Sequence, residues 1–119
     1  MVRRAYEVCR LSDLPDGGSR GFSIPIPSGP EDIFLVRKGS QVFGYQNSCP
    51  HTGGPLDWTP DQFLNPQGDL IQCATHAALF RFEDGLCVRG PCAGQFLNTL
   101  TVERDCDRVL VIVNVSGGQ

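Results

Sequence analysis

Residues Cys49 to His76 constrain this chain more than any other stretch. They open with C-P-H-T-G-G at 49–54 and close with C-A-T-H at 73–76, so residues 52–72 separate a C-x-H pair from a C-x2-H pair. Each pair is short enough for its thiolate and its imidazole to reach one small inorganic centre from a single loop. Thiolates select thiophilic metals, while imidazole suits iron, zinc and copper. A two-Cys, two-His donor set therefore fits either tetrahedral zinc or a [2Fe–2S] cluster with imidazole on one iron.

The way the ligands are paired separates these two. Zinc fingers mostly present C-x2-4-C followed by H-x3-5-H, with like ligands together. Here each loop supplies one Cys and one His, as is needed when one iron takes both sulfurs and the other takes both imidazoles. In these boxes, and from about Tyr6 to Val113, the chain closely resembles the Rieske iron–sulfur family, whose boxes are C-x-H and C-x2-H. The resemblance implies one [2Fe–2S] cluster held by Cys49, His51, Cys73 and His76. Both irons are then coordinatively full, and the sequence shows no general base, nucleophile or open metal position. No catalytic residue is assigned, and the chain is expected to deliver electrons to chemistry elsewhere. A zinc-stabilised interaction module without redox role is the alternative from a different class.

At 119 residues the chain fits one domain, 1–119, with a cluster-binding part at about 47–92. A formal net charge of −3 argues against nucleic acid as a partner. No apolar run approaches a membrane span. Arg3-Arg4 lacks an apolar segment behind it at Ala5–Arg10, so it does not read as an export signal. A soluble, cytoplasmic, monomeric protein is expected. Without an export signal, the six cysteines read as thiols and metal ligands rather than a disulfide framework. Cys9 and Cys106 sit in alternating, strand-like stretches as core or surface thiols. Cys87 and Cys92 flank V-R-G-P in a turn and are expected to be reduced.

Fourteen Gly and nine Pro between short Val/Ile/Phe/Leu runs predict an all-β domain, with no helix signal in the first half. Strands are expected at Tyr6–Cys9, Gly21–Ile26, Ile33–Arg37, Gln41–Tyr45, Leu70–Cys73, Ala78–Phe82, Leu86–Val88, Leu100–Glu103 and Val109–Val115. Leu11–Gly18 reads as a loop and Ser28–Pro30 as a turn. Lys38-Gly39 or Gly39-Ser40 makes one hairpin, and Asp84-Gly85 signals another. Pro25 and Pro27 push the second strand to a sheet edge. The connection between the boxes reads as loop, with one helical turn at Pro60–Leu64 and with Trp58 as an anchor on the core. The family resemblance implies an antiparallel sandwich or barrel with a small subdomain built from the two ligand loops. It also places Gly90-Pro91 in a proline-stiffened third loop covering the cluster.

The same resemblance separates subtypes. High-potential, membrane-anchored Rieske proteins carry two further cysteines that bridge the ligand loops, where this chain has Gly54 and Thr75. They also carry a hydroxyl residue two positions after the second His, where this chain has Ala78. These departures resemble the soluble ferredoxins that serve aromatic-ring dioxygenases, so a low-potential carrier between a reductase and an oxygenase is expected. The small subunit of an assimilatory nitrite reductase is the alternative within redox biology. Asp57, Asp61 and Asp69 between the boxes read as solvated loop acids or as a docking surface for a basic partner. Replacing any one of Cys49, His51, Cys73 or His76 by Ala should abolish bound iron and colour, because loops ordered by a metal centre lose that stabilisation. Iron analysis checks it; an unaltered iron content in any of the four variants would remove that residue from the set.

Overall fold

Ile33-Phe34-Leu35-Val36 is buried without interruption, at 0–1% exposure. Successive side chains of a strand point to opposite faces, so four consecutive buried residues require apolar packing on both sides. The computed structural model describes residues 2–27, 29–48, 56, 63–73, 78–91 and 93–115, and it shows how that demand is met.

Among the described residues, nine strands run in chain order: β1 (Val2–Arg10), β2 (Ser19–Ile26), β3 (Gly29–Lys38), β4 (Gln41–Gln46), β5 (Ile71–Gln72), β6 (Leu79–Phe80), β7 (Cys87–Arg89), β8 (Thr99–Asp105) and β9 (Arg108–Val115). Six form an antiparallel sheet in the order β1-β9-β8-β4-β3-β2, and β5-β6-β7 form a smaller one. The large sheet curls into a nearly closed barrel. Its two edge strands converge on a cleft of about 180 Å³ lined by Tyr6 and Val8 from one and Phe22 and Ile24 from the other. Pro25 lies on the edge strand β2, where a missing N–H costs no ladder bond.

On one face of β3, Ile33 and Leu35 join Leu14, Ile24, Val109 and Val111 in the barrel core. On the other, Phe34 and Val36 join Tyr45, Leu56, Phe63, Ile71, Phe80, Phe82 and Leu97 between the barrel and the small sheet. The Phe34 and Phe63 rings stack with centroids 4.3 Å apart and 7° between planes. A single strand thus supplies the wall shared by two cores.

The expected strands are present, with three differences. The second hairpin strand starts at Gly29 rather than after Pro30: Ile26 pairs with Gly29 and Pro25 with Pro30, which tightens the turn. Cys106 is not in a strand. It stands exposed in the β8–β9 turn with φ 56°, and Asp105 pairs with Arg108 across it. No glycine marks that turn, so the alternation of its flanks hid it. Of the helical turn expected at 60–64, residues 60–62 lie outside the described residues, and Leu64 forms a β-bridge to Ile71. Leu11–Asp13 is a 3₁₀ turn within the expected loop. Of the two turn readings after β3, the pairing of Lys38 with Gln41 selects Gly39-Ser40. Among the described residues, no helix is long and apolar enough to cross a membrane.

Tyr45, on β4, donates its hydroxyl proton to the Phe82 carbonyl at the turn of the β6–β7 hairpin. Burial first, then the nearby Asp84 and Glu83 carboxylates, hold this phenol well above its ordinary pKa, so it stays a donor at neutral and mildly alkaline pH. Tyr45→Phe leaves a buried carbonyl unsatisfied, which costs about 1–3 kcal/mol. The urea midpoint should fall with little change in slope. An unchanged midpoint would show that this bond does not tie the hairpin to the barrel.

Candidate functional site

The first box follows directly from the end of β4. There the Asn47 N–H donates to the Asp32 carbonyl at 2.9 Å, and the Ser48 N–H donates to the Gln46 carbonyl at 2.9 Å. The Asn47 side-chain oxygen then accepts the Leu56 N–H at 2.7 Å. Leu56 itself is fully buried in the core shared by barrel and small sheet. Asn47 and Leu56, the described residues on either side of the first box, are therefore held to each other by one amide side chain, and Leu56 is anchored in the core. Cys49, His51 and Gly54 themselves lie outside the described residues, as do Asp57, Trp58 and Asp61.

The second box leaves β5. Cys73 is fully buried, and its N–H donates to the Ala78 carbonyl at 2.8 Å, which closes the segment 73–78 at its base. Thr75 and His76 lie outside the described residues. Cys73 is thus the one member of the expected ligand set whose place is described: at the end of a strand, withdrawn from water, in the same core as Leu56. The segment between the boxes returns through Phe63, whose carbonyl accepts the Gln72 N–H at 2.8 Å. Asn65 accepts the N–H groups of Asp69 and Leu70 at 3.1 Å each and donates its amide to the Asp69 carboxylate at 2.8 Å. Asp69 is therefore part of a turn as well as an exposed acid.

The third loop follows β7. Gly90 has φ 110°, and a Cβ there would stand 2.8 Å from the Ala78 Cα, so only glycine lets this loop press against the second box. The Ala93 N–H donates to the Gly90 carbonyl at 3.1 Å and the Gly94 N–H to the Cys87 carbonyl at 2.9 Å. The expected covering loop at Gly90-Pro91 thus lies against the base of the 73–78 segment. Cys87 is buried, with its thiol against the Arg89 carbonyl at 3.2 Å; Cys92 lies outside the described residues. Away from the boxes, Cys9 and Cys106 are free thiols. Burial, with a smaller push from Asp13, raises the Cys9 thiol to about 11, so it is protonated at neutral pH.

The donor chemistry fits a thiophilic centre: a buried Cys73 at one loop base, and a second loop that carries Cys49 and His51 with both ends held. Among the described residues, no group of three or more His, Cys, Asp or Glu could hold a metal ion. The sequence patterns pointed to the boxes but missed Asn47, which bonds Leu56 across the first, and Tyr45, which ties the β6–β7 hairpin to the barrel. Neither carries a local signal, because each bonds to a backbone group rather than to a patterned side chain.

The chain matches a family model described as the Rieske [2Fe-2S] domain over residues 4–114. One similar solved structure is a chain in the complex of reduced oxygenase and oxidized ferredoxin in carbazole 1,9a-dioxygenase. The two are 25% identical over 90% of this chain and 91% of that one, with a TM-score of 0.70. The ferredoxin of carbazole 1,9a-dioxygenase from Nocardioides aromaticivorans IC177 is 22% identical over 90% of this chain and 95% of its own, with a TM-score of 0.70. The terminal oxygenase of carbazole 1,9a-dioxygenase from Novosphingobium sp. KA1 is 18% identical and has a TM-score of 0.73. That match covers 98% of this chain but 31% of the oxygenase chain. The latter two likenesses speak to the fold. No curated protein matches the chain.

The Gly90 contact gives a paired test. Gly90→Ala brings both a strained φ and a clash with Ala78, whereas Gly94→Ala, at φ 90° with open space around it, brings strain alone. Gly90→Ala should therefore speed the loss of bound iron to a chelator by about tenfold more than Gly94→Ala. Equal rates for the two variants would mean that the third loop does not brace the second box.

Proposed function

Because the chain belongs to the Rieske [2Fe-2S] domain family, we propose that it is a one-electron carrier that takes electrons from a reductase and passes them to an oxygenase. Family membership brings one Rieske-type [2Fe–2S] cluster. In this reading Cys49, His51, Cys73 and His76 hold it, and residues 1–119 form one domain whose cluster-binding part spans about 47–92. When bound, such a cluster takes up and releases one electron, and it is reduced more readily than an all-cysteine cluster because two of its ligands are neutral imidazoles. The chain's own residues supply the mounting. Asn47 and Leu56 fix the first box, the Cys73–Ala78 bond closes the second, and Gly90 lets the third loop lie against them. Gly54 and Thr75 provide no bridging thiols and Ala78 no hydroxyl, which favours a potential near the lower end of the Rieske range, about −150 to +300 mV.

The observation that carries the reading is the family match over nearly the whole chain. The 25% identity to a chain of similar length from a ferredoxin–oxygenase complex supports it. Charge supports it as well. Residues 47–92 hold Asp57, Asp61, Asp69, Glu83 and Asp84 against Arg81 and Arg89, five acids against two bases. The formal −3 of the chain therefore belongs to the part that would meet a redox partner. Such an excess steers a basic partner from a distance and is screened over about 8 Å at physiological salt.

The test is anaerobic mixing of the reduced chain with oxygenase components of dioxygenases, beginning with that of carbazole 1,9a-dioxygenase. One electron per chain should reach the oxygenase, at a rate that falls as salt rises from low to physiological levels. Transfer instead to the large flavin and sirohaem subunit of a nitrite reductase, and to no oxygenase, would overturn this assignment.

A further inference from the structure

Two large apolar side chains among the described residues stand well out in solvent, Val88 at 47% and Phe96 at 56% exposure. They share one place. Leu86 bridges to Phe96 along the free edge of β7, and the Cys87 N–H donates to the Gln95 carbonyl at 2.8 Å. Cys87 and Leu97 are buried, so Leu86, Val88 and Phe96 look outward. The β6–β7 register slips here: Phe80 pairs with Cys87 but Leu79 with Arg89, which leaves Val88 with no residue opposite. An irregularity of this kind re-aims side chains, and Val88 and Arg89 both emerge on the surface.

Arg89 has no carboxylate partner among the described residues, although Arg81 is held by Asp84 and Lys38 by Glu83 at 3.5 Å. The chain then runs straight into Gly90, packed on Ala78, two residues after His76. A protein seated on Val88, Arg89 and Phe96 is therefore also close to Ala78, the described residue that follows the second box.

We propose that Val88, Arg89 and Phe96 form a docking ridge for the oxygenase component. That protein would place an apolar side chain against Val88 and Phe96 and a carboxylate against Arg89. The proposal rests on the carrier reading above and adds the surface that reading lacks. Aromatic and arginine side chains are the usual anchors of interfaces, and short-lived redox encounters need only a small contact. Within an acidic subdomain, a cation with no carboxylate partner among the described residues fixes orientation after the wider field has brought the partner close. The step moves one electron from the carrier to the oxygenase and makes or breaks no covalent bond.

Two ridge variants, Val88→Ser/Phe96→Ser and Arg89→Glu, and one control test the proposal. The control, Arg4→Glu, makes the same charge change at an exposed residue of β1. Oxidation of each reduced chain is followed with the oxygenase of carbazole 1,9a-dioxygenase or any other oxygenase component that accepts electrons from the wild type. Ferricyanide serves as an oxidant that needs no docking. Both ridge variants should raise the half-saturating carrier concentration by about tenfold, while ferricyanide rates, visible spectrum and potential stay unchanged and Arg4→Glu stays within about twofold. Ridge variants that match the wild type with the oxygenase would overturn the docking surface and leave the carrier reading intact. If the wild type itself transfers to no oxygenase, the carrier reading fails and this one with it. Concentration-dependent dimerisation lost in the double variant, with oxygenase transfer unaltered, would make the ridge a contact between two copies of the chain instead.

Discussion

The two-sided burial of β3 is the constraint on which the rest of the structure depends. Ile33 and Leu35 close the barrel, while Phe34 and Val36 floor a second core that the small sheet could not make alone. A three-stranded sheet with strands of two or three residues lacks the apolar area to stand by itself. It is held by Phe34 on Phe63, by Tyr45 on the Phe82 carbonyl, and by Leu56 and Leu97 in the shared core. Removing Phe34 would therefore loosen the mounting of both boxes as well as the barrel, at a cost of about 3–5 kcal/mol for a large buried aromatic.

That arrangement suits electron transfer because it separates holding from exposing. The described residues that flank the boxes are tied in pairs, Asn47 to Leu56 and Cys73 to Ala78. Ligands carried on loops with fixed ends can present their outer edges to a partner and change geometry little as charge comes and goes. Gly90 belongs to the same arrangement: with no Cβ, it allows the chain after β7 to pack closely on Ala78.

Much of this was legible in the residues. Short alternating runs cut by Gly and Pro identified an all-β chain, and Gly39-Ser40 and Asp84-Gly85 marked two hairpins. The mixed Cys-His boxes pointed to the family that the chain matches, because few centres want unlike ligands paired in that way. What stayed hidden depends on contacts between distant residues. The order of strands in the large sheet and the Asn47–Leu56 tie leave no local pattern. The register slip that lifts Val88 and Arg89 was hidden for a related reason, since Cys87-Val88-Arg89 alone reads as plain alternation. Cys106 shows the opposite failure, a turn without glycine that local pattern reads as strand.

The central claim is that this chain holds a cluster with cysteines on one iron and histidines on the other. Mössbauer spectroscopy of protein expressed with ⁵⁷Fe tests it most directly. The account predicts two iron environments of equal population in the oxidised protein, of which only one accepts the electron on reduction. A single environment, as four thiolates would give, or a protein that carries zinc in place of iron, would contradict it.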